Sequence, residues 1–192
     1  MPEPSQSPVL PELPELIAPT TRVRRSFLAA VEELRAEGRD GDGSLWRLWI
    51  DLFGDRWHEP DGFAEYVRHL RDDALPDSPR PSHHVPQSMW WLVEGDQYLG
   101  RVGVRHVLGN DFLREYGGHI GYEVRPSRRR EGHATAMLRG VLPHAHALGI
   151  DPALVTCDED NVASRRVIEA CGGVPDGRRG VKLRYRVPTG TG

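Results

Sequence analysis

Val124-Arg125-Pro126-Ser127-Arg128-Arg129-Arg130-Glu131-Gly132-His133-Ala134-Thr135 decides how this chain is read. It has the form of a strand end, a basic loop, and a helix that begins after a glycine. Such a junction aims several unpaired main-chain N–H groups and the positive end of a helix dipole at one spot. Arg129 and Arg130 add full charges there, and Gly132 lets an anion approach without a Cβ in the way. The chemistry is that of a phosphate cradle.

Downstream of the loop, Ala134, Met137, Leu138, Val141, Leu142, Ala145 and Leu148 recur at helical spacing. Pro143 inside that pattern predicts a kink, and Gly149 predicts the helix end. Ala153–Cys157 then reads as a short strand, Val162–Cys171 as a helix and Val181–Val187 as a closing strand. Upstream, Gly118–Val124 reads as a strand with Ile120, Tyr122 and Val124 on one side. Gly121 in its middle predicts a bulge, or a close approach to the backbone. Met89–Val93 and Tyr98–Val107 read as strands joined at Glu94-Gly95-Asp96, and Gly109–Tyr116 as a connection.

The N-terminal part is mainly helical. Residues 1–14 carry five prolines and are expected to be a flexible lead-in. Glu15–Pro19 suits a short strand, and Thr20 or Thr21 an N-cap for a helix with Val23, Phe27, Val31 and Leu34 on its apolar face, ending near Gly38. After a turn at Gly41–Gly43, the run from Leu45 to Phe53 is apolar on every side, which suits a buried segment or a pocket wall. Phe63, Tyr66, Val67 and Leu70 mark a further helix, and a loop over Pro76–Pro86 follows.

Composition bounds the function. At 192 residues, 38% hydrophobic and 28% charged, the chain suits one soluble domain with a real core. No run is long enough to span a bilayer, and the first residues lack the pattern of a secretory signal, so a cytoplasmic location is expected. The net charge of -3 argues against a nucleic-acid partner. Cys157 and Cys171 make neither a disulfide framework nor a zinc site. The nine histidines show no ligand spacing, so no metal is expected.

The order strand, arginine-glycine loop, helix, strand, asparagine, helix, strand resembles the GNAT N-acetyltransferases, most specifically over Trp90–Val187. That family's pyrophosphate loop, Q/R-x-x-G-x-G/A, is met by Arg129, Gly132 and Ala134, with Pro126 three residues before the arginine. The resemblance implies an α/β (α+β) single domain with the acyl-CoA N-acyltransferase fold. A mixed central sheet would be flanked by helices, with a V-shaped splay between two parallel strands. Residues 15–188 would form that domain, with 15–86 on the acceptor side, 87–188 as the acyl-CoA-binding core and 189–192 as a tail.

It further implies acetyl-CoA as acyl donor. Main-chain groups of Arg130, Gly132, His133, Ala134 and Thr135, next to Arg129, would hold its pyrophosphate, while the strand of Tyr122 and Val124 would pair with the pantetheine arm. Asn161 matches the family's cofactor asparagine, and by its position is also a good helix N-cap. The partners would be acetyl-CoA and an amine-bearing acceptor, with no nucleic acid or membrane, and a homodimer is left open.

The amine would attack the thioester directly, which requires a base, an oxyanion donor and a proton for the thiolate. His119 and Glu123 stand four apart, on one face of the strand if no bulge intervenes, and are the candidate catalytic residues. Each has a structural alternative: a hydrogen-bonded imidazole, and a carboxylate paired with an arginine. Two positions depart from the family pattern. Ile168 stands where a tyrosine often supplies the thiolate's proton, and Gly173 replaces a common aromatic. Ile168 therefore keeps open a second reading, a non-catalytic acyl-CoA-binding or regulatory module. Trp46, Trp49, Trp57 and Tyr66 could form either acceptor pocket or core, and Asp51, Asp55 and Glu115 could either attract an amine or be solvated.

Overall fold

The computed structural model describes residues 13–39 and 47–190. One seven-stranded sheet organises them. In chain order the strands are β1 (Glu15–Ile17), β2 (Gln87–Glu94), β3 (Gln97–Arg105), β4 (Ile120–Val124), β5 (Ala153–Asp158), β6 (Val174–Arg179) and β7 (Lys182–Val187). Their spatial order is β1-β2-β3-β4-β5-β7-β6. Every neighbouring pair is antiparallel except β4 and β5. The helices are α1 (Arg24–Ala36), α2 (Arg47–Phe53), α3 (Pro60–Asp72), α4 (His133–Ala147) and α5 (Val162–Ala170).

Each sheet face has its own core. On one face α4 presents Met137, Leu138, Val141 and Ala145, one per turn or nearly so, against Val102, Val104, Ile120 and Val155. On the other, α1 and α3 enclose an aromatic cluster centred on Phe27, whose ring lies 5.3 Å from both Trp57 and Trp91. Burying such a ring stabilises by roughly 1.5–3 kcal/mol, so this face anchors the N-terminal helices firmly. Trp57 and Tyr66 belong to this cluster, 1% and 0% exposed, and so are core rather than pocket wall.

Local signals act where expected at several points. Thr20 caps a 3-10 turn, Thr21–Val23, that leads into α1, and Gly38 beyond its end has φ +67. α4 runs unbroken through Pro143, which sits exposed on the outer side of the helix. Gly121 carries no bulge: the β3–β4 register runs straight through it, with Gly103 opposite, and the register shifts lie instead at Leu92/Val93 on β2 and at Pro175/Arg178 on β6. Two elements differ from the sequence reading. Part of the Gly109–Tyr116 connection coils into a π-helical turn, Leu113–Gly117, and β6 forms an exposed edge strand whose Pro175, Asp176 and Gly177 hide the strand pattern. Residues 1–12, the Gly41–Gly43 turn, Trp46 and residues 191–192 lie outside the described residues.

Candidate active site

The loop after β4 is built by alternating backbone conformations and by acids from the α1–α3 face. Pro126–Arg128 form a 3-10 turn, Arg130 has φ +67, and Gly132 has φ +84 just before α4. Among the described residues, no main-chain carbonyl accepts from the N–H groups of Arg130 through Thr135, and the first bond of α4 is Ala136 N–H to Gly132 O at 3.0 Å. Five of these six residues, all but Glu131, line one concavity.

Acids answer most of the loop's positive charge. Glu33 accepts from the Arg125 guanidinium at 2.7 Å and from the Ser127 N–H at 2.9 Å. Burial pushes the Glu33 carboxyl up, but the hydrogen bonds from Arg125 and Ser127 outweigh it and leave it below its ordinary value. Arg128 pairs with Glu94 and Glu131, and Arg129 makes a two-pronged pair with Glu37 at 2.9 and 2.8 Å. Arg130 is the one loop arginine with no ion pair among the described residues, and it is exposed.

The parallel strands part beside this loop. β4 and β5 share one register pair, Ile120 with Val155, and then separate. A cleft of about 370 Å³ opens there, and it gathers Tyr122, Val124, Arg129, Arg130, Gly132, His133, Ala134, Thr135 and Asn161 together with Glu123. Asn161 caps α5, its Oδ1 accepting from Ser164 N–H at 3.0 Å, and also faces the cleft. Ala163, Ser164 and Val167 line the same cleft; no motif singled them out, and only the strand separation reveals them. The Tyr122 hydroxyl lies 2.7 Å from the Ser164 hydroxyl, and burial raises its pKa well above the usual phenol value.

His119 and Glu123 end in different surroundings. His119 Nδ1 accepts the Leu154 N–H at 2.9 Å, so its lone pair is taken and its proton sits on Nε2. Burial, with help from Arg186 and Arg105, lowers its pKa to about 4. The ring is not part of the cleft wall. Glu123 is, with its carboxylate 3.1 Å from Arg39 Nε and its position directly across from the buried Arg101.

On the α1–α3 face a second cavity, of about 400 Å³, reaches β4 at Gly121. The facing pair Gly103 and Gly121 leaves this part of the sheet without side chains, which is what makes room. Trp49, Met89, Phe112 and Leu113 supply apolar wall; Asp73, His83, His84, Arg101 and Arg105 supply polar wall. His83, which is exposed, and the half-buried His84 both lie at this cavity. Asp51 and Asp55 are exposed away from it, and Glu115 pairs with Arg179. The described residues contain no cluster of His, Cys, Asp or Glu able to hold a metal.

Ile168 and Gly173 explain each other. Ile168 is fully buried, and a Cβ on Gly173 would stand 2.5 Å from its Cγ2. Cys157 is 4% exposed, and burial raises its thiol pKa, which suits packing rather than attack.

The acetyltransferase (GNAT) domain model matches residues 41–174. No curated protein sequence matches the chain. Among solved structures, it is similar to RimJ of Mycobacterium smegmatis in complex with CoA-disulfide, with TM-score 0.61 and 19% identity, covering 91% of this chain and 81% of that one. It is also similar to the microcin self-immunity acetyltransferase MccE in complex with acetyl-CoA and AMP, with TM-score 0.60 and 11% identity over 91% and 92% of the two chains. The yncA protein of Salmonella typhimurium with acetyl-CoA gives TM-score 0.54 and 11% identity over 90% and 91%. At these identities the likeness is one of fold.

Proposed function

The chain belongs to the GNAT acetyltransferase family, whose acyl donor is acetyl-CoA, and from that premise we propose direct transfer of the acetyl group to an amine held in the Gly121 cavity. One observation carries this reading. The cleft beside the cradle and the cavity on the opposite face meet at β4, through Gly121 on one side and Tyr122–Val124 on the other. A donor laid in the first and an acceptor in the second would face each other across a single strand.

In this reading the free N–H groups of Arg130 through Thr135 hold the pyrophosphate, with Arg130 adding charge. The edge of β4 left open beyond Ile120 pairs with the pantetheine amides. The amine nitrogen attacks the thioester carbon, a β4 main-chain N–H receives the oxyanion, and the C–S bond breaks. Glu123 is the stronger candidate to take the amine's proton, because its carboxylate lines the cleft whereas His119 has committed its lone pair. His119 then acts as a positioning residue for β5. The proton for the departing sulfur comes through the Tyr122 hydroxyl, which burial keeps protonated and Ser164 holds in place.

The buried Ile168 favours a second reading, a module that binds acyl-CoA without turnover. Release of free thiol from acetyl-CoA across an amine library separates the two. Turnover with E123Q strongly impaired and H119Q near wild type supports the reading above. Tight coenzyme binding with no thiol released by any amine would replace it with the second.

A further inference from the structure

The charges around the Gly121 cavity do not cancel. Asp73 is ion-paired with Arg80, Nε to Oδ1 at 3.3 Å, and Arg101 stands opposite Glu123 in the β3–β4 register. Arg105 is left over. Its Nη1 donates to the main-chain carbonyls of Gly117 and Gly118 at 3.3 and 3.0 Å, and among the described residues no carboxylate pairs with it. Its surroundings withdraw bulk water from the guanidinium, and burial lowers its pKa. Of the other titratable groups in the wall, burial and His83 hold His84 below its ordinary value, so it is a neutral donor or acceptor near pH 7. A cation withdrawn from water without a counter-charge is costly, and a bound anion would offset that cost.

We infer that this cavity takes an acceptor bearing an anionic oxygen group, carboxylate or phosphate, and that Arg105 receives that group. The inference rests on reading the cavity as the acceptor site. Register also sets the spacing. Arg105 donates its main-chain N–H to His119 O at 2.8 Å, two residues before Gly121, and its guanidinium sits on the Gly117 and Gly118 carbonyls, farther still from Gly121 along the chain. Two strand residues span roughly 7 Å, so the anionic group stands several bonds from the amine. The apolar wall of Trp49, Phe112 and Leu113 accommodates the intervening chain.

The test is binding, independent of turnover. Coenzyme-free and coenzyme-loaded protein are titrated with 5-aminopentanoate against pentylamine, and with O-phosphoethanolamine against ethanolamine. Binding is followed by NMR at the Trp49 indole and the arginine side chains. At least one anionic member is expected to bind roughly tenfold more tightly than its neutral partner, a ratio typical of a charge-assisted contact, and the responding pair tells carboxylate from phosphate. R105Q should lose this preference and R105K should keep part of it, with coenzyme affinity unchanged in both. Should R105Q fail to fold, the wild-type preference together with R105K decides. Equal binding of charged and neutral partners, no binding of either anion, or a preference that survives R105Q overturns the inference. Coenzyme affinity is measured separately; its absence would sink the transferase reading, while the coenzyme-free titration still scores the anion site.

Discussion

His119 Nδ1 accepts the main-chain N–H of Leu154 at 2.9 Å, and the His119 N–H donates back to Leu154 O at 2.7 Å. This reciprocal pair ties β5 to the start of β4 immediately before the two strands separate. Protonating the imidazole would break one half of it. The folded pKa of about 4 lies below the ordinary histidine value of 6.5, so the unfolded chain takes up its proton first. The stabilisation is therefore complete above about pH 6.5 and lost as pH falls toward 4. The ring is partly exposed, so after discounting for solvent screening the effect is on the order of 1–2 kcal/mol. H119Q, which offers an oxygen in place of Nδ1 and does not titrate, should show a flatter melting temperature between pH 7 and 4.5. Parallel pH profiles for the two proteins would remove this role.

Arg130 and Gly132 both hold positive φ, but only one of them is a glycine. R130G should relieve about 1 kcal/mol of backbone strain and leave the protein as stable or more so. It should also weaken coenzyme binding and flatten its salt dependence, because the loop cation that has no ion pair among the described residues is gone. Calorimetric titration at two salt concentrations reads both effects. Unchanged affinity would mean that Arg130 faces solvent in the complex as well.

A Cβ at Gly132 meets no atom within 4 Å, so G132A costs the fold only its φ penalty, about 1 kcal/mol. The same methyl group would project where a phosphate is expected to sit. Coenzyme affinity should therefore fall by more than tenfold while thermal stability falls little. A loss of affinity no larger than the loss of stability would place the pyrophosphate elsewhere.

Glu33 holds the loop from α1 through Arg125 and Ser127, and its mutation should act at a distance. E33A removes hydrogen bonds to a charged partner, worth roughly 1.5–3 kcal/mol, and should raise the KM for acetyl-CoA while changing kcat little at saturation. Steady-state kinetics with varied acetyl-CoA, once an acceptor is in hand, distinguishes this from a general loss of activity.

Ile168 and Gly173 form a packed pair that leaves no room for the family's usual side chains. G173A should destabilise by about 1–3 kcal/mol, because its Cβ would also meet the Ile168 carbonyl at 2.8 Å and not merely a flexible side chain. I168Y should likewise unfold part of the α5 packing and should not raise turnover. Chemical denaturation reads the first, and thiol release reads the second.

The chain's local chemistry determined a good deal by itself. The loop from Val124 to Thr135, the apolar spacing of α4, and Asn161 ahead of α5 each carry their signal in consecutive residues. Backbone sterics and helix periodicity act over that range, so the loop-to-helix junction and most strands were legible. Residues that meet only through the sheet were not. Gly103 lies opposite Gly121, and Arg105 lies beside His119, because β3 and β4 adopt one register, and no local pattern encodes that register. The same holds for Glu37 on Arg129 and for Leu154 on His119, contacts between segments 92 and 35 residues apart. These long-range pairings decide which loop arginine lacks an acid partner among the described residues, that His119 commits its Nδ1 lone pair, and where the Gly121 cavity opens. Charge neutralisation and hydrogen-bond satisfaction are settled by neighbours in space, which only the tertiary structure supplies.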